Sequence, residues 1–197
     1  DYKKILNLNS EGFMDRQELE KEHGSMKVVL FKRKLLSPIS WAISLVTKSK
    51  YVHAGVMFPE KGMGDMVIDA SESRGYVGTN KPLRRFGKRK VLVYDIPDPK
   101  GAAFKSAMAT LGEKYDYFGV LFWVFKMNKK SAYYCFEFVK RLLRISGPVK
   151  GIKPGPVMKG LDDGNTSAED ILLVMDRFQL KPEFEGKAQD YPLQSLV

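Results

Sequence analysis

The chain has 197 residues, 44% hydrophobic and 12% aromatic, with a single cysteine, two histidines and a formal net charge of +10. That apolar content supports one globular core, and the lone cysteine excludes an internal disulfide framework and a thiolate zinc site. The positive charge implies attraction to an anionic surface such as a membrane or an acidic wall polymer, but the basic runs "FKRK" (31–34) and "KPLRRFGKRK" (81–90) lack the aromatic interleaving of an RNA-recognition module, so nucleic acid is not the expected partner.

Residues 1–25 carry an acidic excess and end in "GS" ahead of Met26, a pair that resembles a cloning scar, so this extension is expected to be foreign to the domain. The domain is expected to span residues 26–180, with 181–197 as a C-terminal tail. "MKVVLFKR" is β-branched and apolar enough for a first strand. "SPISWAISLVTKS" (37–49) opens on a Ser cap with Pro behind it and sets Ile39, Ile43 and Val46 on one helical face. "YVHAGVMF" (51–58) predicts a strand, "KGMGD" a turn, "MVIDA" a short strand and "KVLVYDI" (90–96) another. The link from 58 to 66 is too short for a crossover helix, which makes the sheet antiparallel.

Helices are expected next, in "GAAFKSAMATLGEK" (101–114) and "SAYYCFEFVKRLLRI" (131–145), with "YDYFGVLFWVFKM" (115–127) between them as a buried helix or strand. The apolar run "FGVLFWVF" (118–125) is followed by Lys126 and is far shorter than the roughly 20 residues that cross a bilayer. "GPVKGIKPGPVMKGLDDGN" is a Gly/Pro-rich linker, and "SAEDILLVMDRF" (167–178) has a Ser cap with acids in the first turn. The fold class is α+β: a small antiparallel sheet packed against helices, the cysteine helix among them. With no secretory signal in view, the expected setting is the cytoplasm or another reducing compartment, with membrane association through the basic surface.

In the 131–145 helix, Cys135, Phe138, Val139 and Leu142 fall at i, i+3, i+4 and i+7, the spacing of a core-facing stripe, so the sulfur has a purely structural reading. Against it, Cys135 lies close to the helix start, where free backbone N–H groups and the positive dipole end favour a thiolate and offer donors to an oxyanion. His53 sits on one strand and Asp69 on the next. A nucleophile, a base and a carboxylate to orient the base form the inventory of a thiol hydrolase. Glu60, Asp65 and Glu72 are alternative acids, and Tyr51 and Tyr134 are candidate substrate-binding residues. No metal and no cofactor are expected.

"YVHAGVMF", "VIDAS" and "YYCFEFV", with "YDYFG" before the cysteine and "TSAEDIL" after it, resemble the elements of circularly permuted papain-like, NlpC-type proteins. That group includes YiiX-like bacterial proteins and relatives of lecithin:retinol acyltransferase. Histidine precedes cysteine here, the reverse of ordinary papain-like peptidases. The sequence departs from the group at Phe136, where serine is frequent, and at Val52, where a small polar residue often precedes the histidine. The resemblance implies a permuted papain-like fold with Cys135 as nucleophile, His53 as base and Asp69 as the orienting residue. It also implies an ester, thioester or amide substrate, with a lipid acyl group slightly favoured over a peptidoglycan peptide. Phe136 and the basic clusters support a non-catalytic binding module as the alternative.

Overall fold

The computed structural model describes residues 24–33, 41, 44–45, 47–98, 100–116, 132–146 and 167–192. Its centre is strand β1 (Ser25–Lys32), which pairs antiparallel with β2 (Tyr51–Met57) on one side and with β5 (Lys90–Pro97) on the other. A central strand with both faces covered reads as a continuous apolar run. In β1, Val28 and Leu30 enter one core while Val29 and Phe31 enter a second core on the opposite face. Lys27 is buried in the same strand and held by Glu183 at 2.7 Å and Asp95 at 3.5 Å.

Strands β3 (Met66–Ser71) and β4 (Tyr76–Pro82) extend the sheet beyond β2 as a hairpin. The two-residue strands β6 (Lys114–Tyr115) and β7 (Ala132–Tyr133) follow at that edge, and β8 (Phe184–Lys187) closes the other. The order is β7-β6-β4-β3-β2-β1-β5-β8, antiparallel throughout except for the β6–β7 pair. The sheet is therefore larger than the small one expected from sequence, and β4 forms at 76–82, where no strand is expected from the sequence.

Helices α1 (Ala102–Ala109), α2 (Cys135–Ile145) and α3 (Ala168–Arg177) contribute to the main core. Cys135, Phe138, Val139 and Leu142 are all buried there, as their helical spacing requires. Ser167 caps α3 through a full capping box with Asp170.

Three boundaries differ from the sequence reading. Gly24 and Ser25 belong to the fold: the Gly24 carbonyl accepts from Asp98 N at 3.1 Å, and Ser25 N donates to Glu60 at 2.9 Å. Within the expected tail 181–197, the described residues 181–192 join the fold: β8 pairs with β5 and Tyr191 is 1% exposed in the second core. An aromatic ring covering an otherwise bare sheet face removes far more apolar surface from water than a free tail would. Helix α2 starts at Cys135 rather than at 131. The expected stripe of Ile39, Ile43 and Val46, the 118–125 run and the 147–166 linker lie outside the described residues, although residues 41, 44, 45 and 47 are helical.

Candidate active site

His53 on β2 and Asp69 on β3 meet side by side, with His53 Nε2 donating to Asp69 Oδ2 at 2.6 Å. Gly55 allows this approach. A Cβ at residue 55 would lie 2.7 Å from Val67 Cγ1, 3.0 Å from the Ile68 carbonyl and 3.2 Å from Asp69 Cβ, so any larger residue would push β3 away. The glycine two residues after the histidine thus has a packing reason tied to the site.

Asp69 is fully buried and held from its other side. Arg74 Nη2 donates to Asp69 Oδ1, to the Asp69 carbonyl at 3.0 Å and to the Gly78 carbonyl at 3.1 Å. Asn80 Nδ2 donates to Asp69 Oδ2 at 3.1 Å. Gly78 stands directly opposite Asp69 in the β3–β4 register, and the absent side chain leaves room for the Tyr76 ring and Arg74. Burial alone would raise the Asp69 pKa, but the hydrogen bond and charge of His53 and the guanidinium of Arg74 hold it below the usual carboxylate range. The buried carboxylate is ionised and fixed. Sequence reasoning missed Arg74 and Asn80 because the β3–β4 hairpin was not recognised; once Gly78 is placed opposite Asp69, strand alternation puts Asn80 on the same face.

Cys135 is a free cysteine, 5% exposed, at the first position of α2. The Tyr134 side chain does not cap this helix, and the first-turn N–H groups beside the sulfur, which have no partner within a helix, can serve as donors. Cys135 acts on His53 both as a charge and as a side-chain hydrogen-bond partner. With Nε2 engaged by Asp69, Nδ1 is the ring nitrogen left for the sulfur. Burial lowers the His53 pKa, but the charge of Cys135, the hydrogen bonds to Asp69 and Cys135 and the charge of Asp69 outweigh it and lift the value to about 9. An imidazole in this setting carries its proton at neutral pH.

The other candidate acids are elsewhere engaged or placed. Glu60 binds Ser25, and Asp65 accepts from Arg84 N at 3.4 Å. Glu72 lies in the β3–β4 turn. Tyr51 is buried in the main core, where burial first and then Glu185, Tyr94 and Glu169 push its pKa up to about 12. Tyr134 is the N-cap residue of α2 and is buried next to Cys135. Arg89 is the cation that sequence reasoning left inside a basic cluster. Its pKa is lowered to about 10 by burial, against the raising influence of Cys135 and Asp69.

The family model for permuted papain-like amidase enzymes, YaeF/YiiX, C92 family, matches residues 29–153. The chain belongs to that family. The match takes in β1 through α2, and therefore His53, Asp69 and Cys135 of this permuted papain-like amidase family member. Family membership supports a cysteine hydrolase and the α+β permuted papain-like fold expected from sequence. No curated protein matches the chain.

Proposed function

We propose that the protein is a thiol amidase in which Cys135 is the nucleophile, His53 the acid–base and Asp69 the residue that orients the imidazole. The observation that carries this reading is His53, which bonds Asp69 through Nε2 and whose pKa is raised by both Cys135 and Asp69. His53 takes or holds the proton of the Cys135 thiol as the sulfur attacks. The thiolate attacks the amide carbonyl carbon, and the carbonyl π electrons move onto oxygen, which is stabilised by first-turn N–H groups of α2. His53 then protonates the departing amine as the C–N bond breaks, leaving a thioester on Cys135. Water, deprotonated by the now neutral His53, attacks that thioester, and the sulfur leaves as thiolate while His53 regains its proton.

The description of the family as amidases favours an amide over the lipid ester that the sequence reading slightly preferred. Release of the thioester to an acceptor other than water would give acyl transfer from the same site.

The test is active-site alkylation combined with turnover. Folded protein at neutral pH should incorporate iodoacetamide at Cys135. His53→Ala should slow that reaction, and Cys135→Ser should lower hydrolysis by about a thousandfold or more while keeping the fold. A panel of peptidoglycan stem peptides, N-acyl amides and acyl esters separates the substrate classes. If Cys135 reacts only after unfolding, or equally fast without His53, the sulfur is core packing and the thiol-amidase reading fails.

A further inference from the structure

Next to the Cys135–His53–Asp69 group lies an aromatic wall that the proposed mechanism does not use. Phe31 stands opposite His53 in the β1–β2 register, and their ring centroids are 5.5 Å apart. Phe86 packs on Phe31 at 4.8 Å. Two cations cover this wall: the Arg89 guanidinium carbon is 4.8 Å from the Phe31 ring centre, and Lys81 Nζ is 4.6 Å from that of Phe86.

Arg89 is built in rather than draped over the surface. Its backbone N–H donates to the Phe86 carbonyl at 3.4 Å, and its own carbonyl accepts from Ala188 N at 2.9 Å. In the side chain, Nε donates to the Lys32 carbonyl at 3.1 Å, which fixes the guanidinium plane. Among the described residues the Nη groups make no hydrogen bond and face no carboxylate within ion-pair distance. The guanidinium is nonetheless close enough to feel the charges of both Cys135 and Asp69. Asp69 is already committed to His53, Arg74 and Asn80. A half-buried cation, held through Nε with an aromatic ring beside it, offers its two Nη groups as an end-on fork, the geometry that matches a carboxylate bidentately.

We infer that Arg89 is a substrate-recognition residue that binds a carboxylate of the amide substrate close to the scissile bond, with Lys81 adding a second, outer positive charge. The inference rests on the thiol-amidase reading only for the position of the reacting bond. A single fixed fork fits a carboxylate better than a phosphate, which gathers several donors. The preferred substrates are therefore amides bearing a free carboxylate, such as peptides cut near a C-terminus or an acidic side chain.

Two measurements test this. The first is the ratio of Cys135 alkylation rates with iodoacetate and with iodoacetamide, reagents that differ in a carboxylate against a carboxamide. Arg89→Gln should lower the ratio by about tenfold, the equivalent of one charge-assisted hydrogen bond, and Arg89→Lys should restore part of it. An unchanged ratio would make Arg89 only a strut between β1 and β5.

The second does not depend on thiol reactivity. N-acetylalanine should shift the Arg89 Nε–H NMR signal saturably, and neutral N-acetylalaninamide should not. A tighter response to inorganic phosphate would overturn the carboxylate assignment in favour of a phosphate-bearing ligand, and no saturable shift with either anion would end the proposal. Alkylation that fails with both reagents while N-acetylalanine still binds would sink the thiol-amidase reading and leave the carboxylate site standing.

Discussion

At the scale of single residues, the proton on His53 is the quantity that the surroundings control. Its pKa of about 9 is held there against burial by Cys135 and by Asp69. As a leaving amine needs that proton, kcat/KM should fall as pH rises through about 9. Asp69→Asn removes the carboxylate charge and weakens the bond that favours imidazolium, so the basic limb should move to lower pH, and activity at pH 7 should fall by roughly one to four orders of magnitude. A pH–rate profile checks both. A basic limb that stays near pH 9 in Asp69→Asn would show that Asp69 does not act through His53. Cys135, His53 and Asp69 were legible in the sequence because each is chemically distinctive and each lies in a short strand or helix with a clear pattern. Arg74, Asn80 and Arg89 were not. They belong to basic or turn-rich stretches whose residues look alike, and only the β3–β4 register and the path into β5 single them out.

At the scale of elements, the site depends on how closely β2 and β3 approach. Gly55 sits where a methyl group would meet the Val67 side chain at 2.7 Å and the Ile68 backbone at 3.0 Å. Gly55→Ala should therefore displace β3, lengthen the His53–Asp69 bond and destabilise the fold by about 1–3 kcal/mol, the usual cost of overpacking. Its signature is a lowered Tm together with a basic limb displaced as in Asp69→Asn; a normal Tm with normal activity would mean that the strands yield freely.

The start of α2 makes a complementary point. Helical periodicity ran smoothly from 131, and the helix nonetheless begins at Cys135, because Ala132 and Tyr133 are drawn into β7 beside β6. Periodicity cannot detect a two-residue strand. The consequence favours chemistry, since the sulfur lies at the first helical position and not a turn inside. At α3 the local signal was sufficient, for the Ser167–Asp170 box is written in adjacent residues. Ser167→Ala should cost about 1 kcal/mol in denaturant unfolding without altering turnover.

At the scale of the molecule, the two faces of the sheet are covered by different means. One face takes α1, α2 and α3, whose amphipathic patterns were readable from sequence. The other relies on pieces with little periodicity of their own: Leu83 from the 3-10 turn after β4, and Ala188 and Tyr191 from the segment after β8. That segment looks like a polar tail because β8 is only four residues long and its burial alternates weakly. Its role comes from distant partners, with Val91 opposite Gly186 and the Phe184 and Tyr191 rings in edge contact at 5.4 Å.

The face it covers is also the one that carries Phe31, and Phe31 packs on His53. The C-terminal segment is thus expected to support the site without touching the reacting groups. Tyr191→Ala should destabilise the protein by about 3–5 kcal/mol, as for loss of a fully buried aromatic ring. At temperatures well below the lowered Tm, the variant should keep its pH–rate profile and lose little kcat. Removal of residues 181–197 should do more damage, because it also strips β8 from β5 and takes Glu183 from the buried Lys27. Urea unfolding of the two variants measures the difference. A truncated chain as stable as the full one would show that β5 tolerates being an edge strand and that Lys27 is satisfied by Asp95 alone.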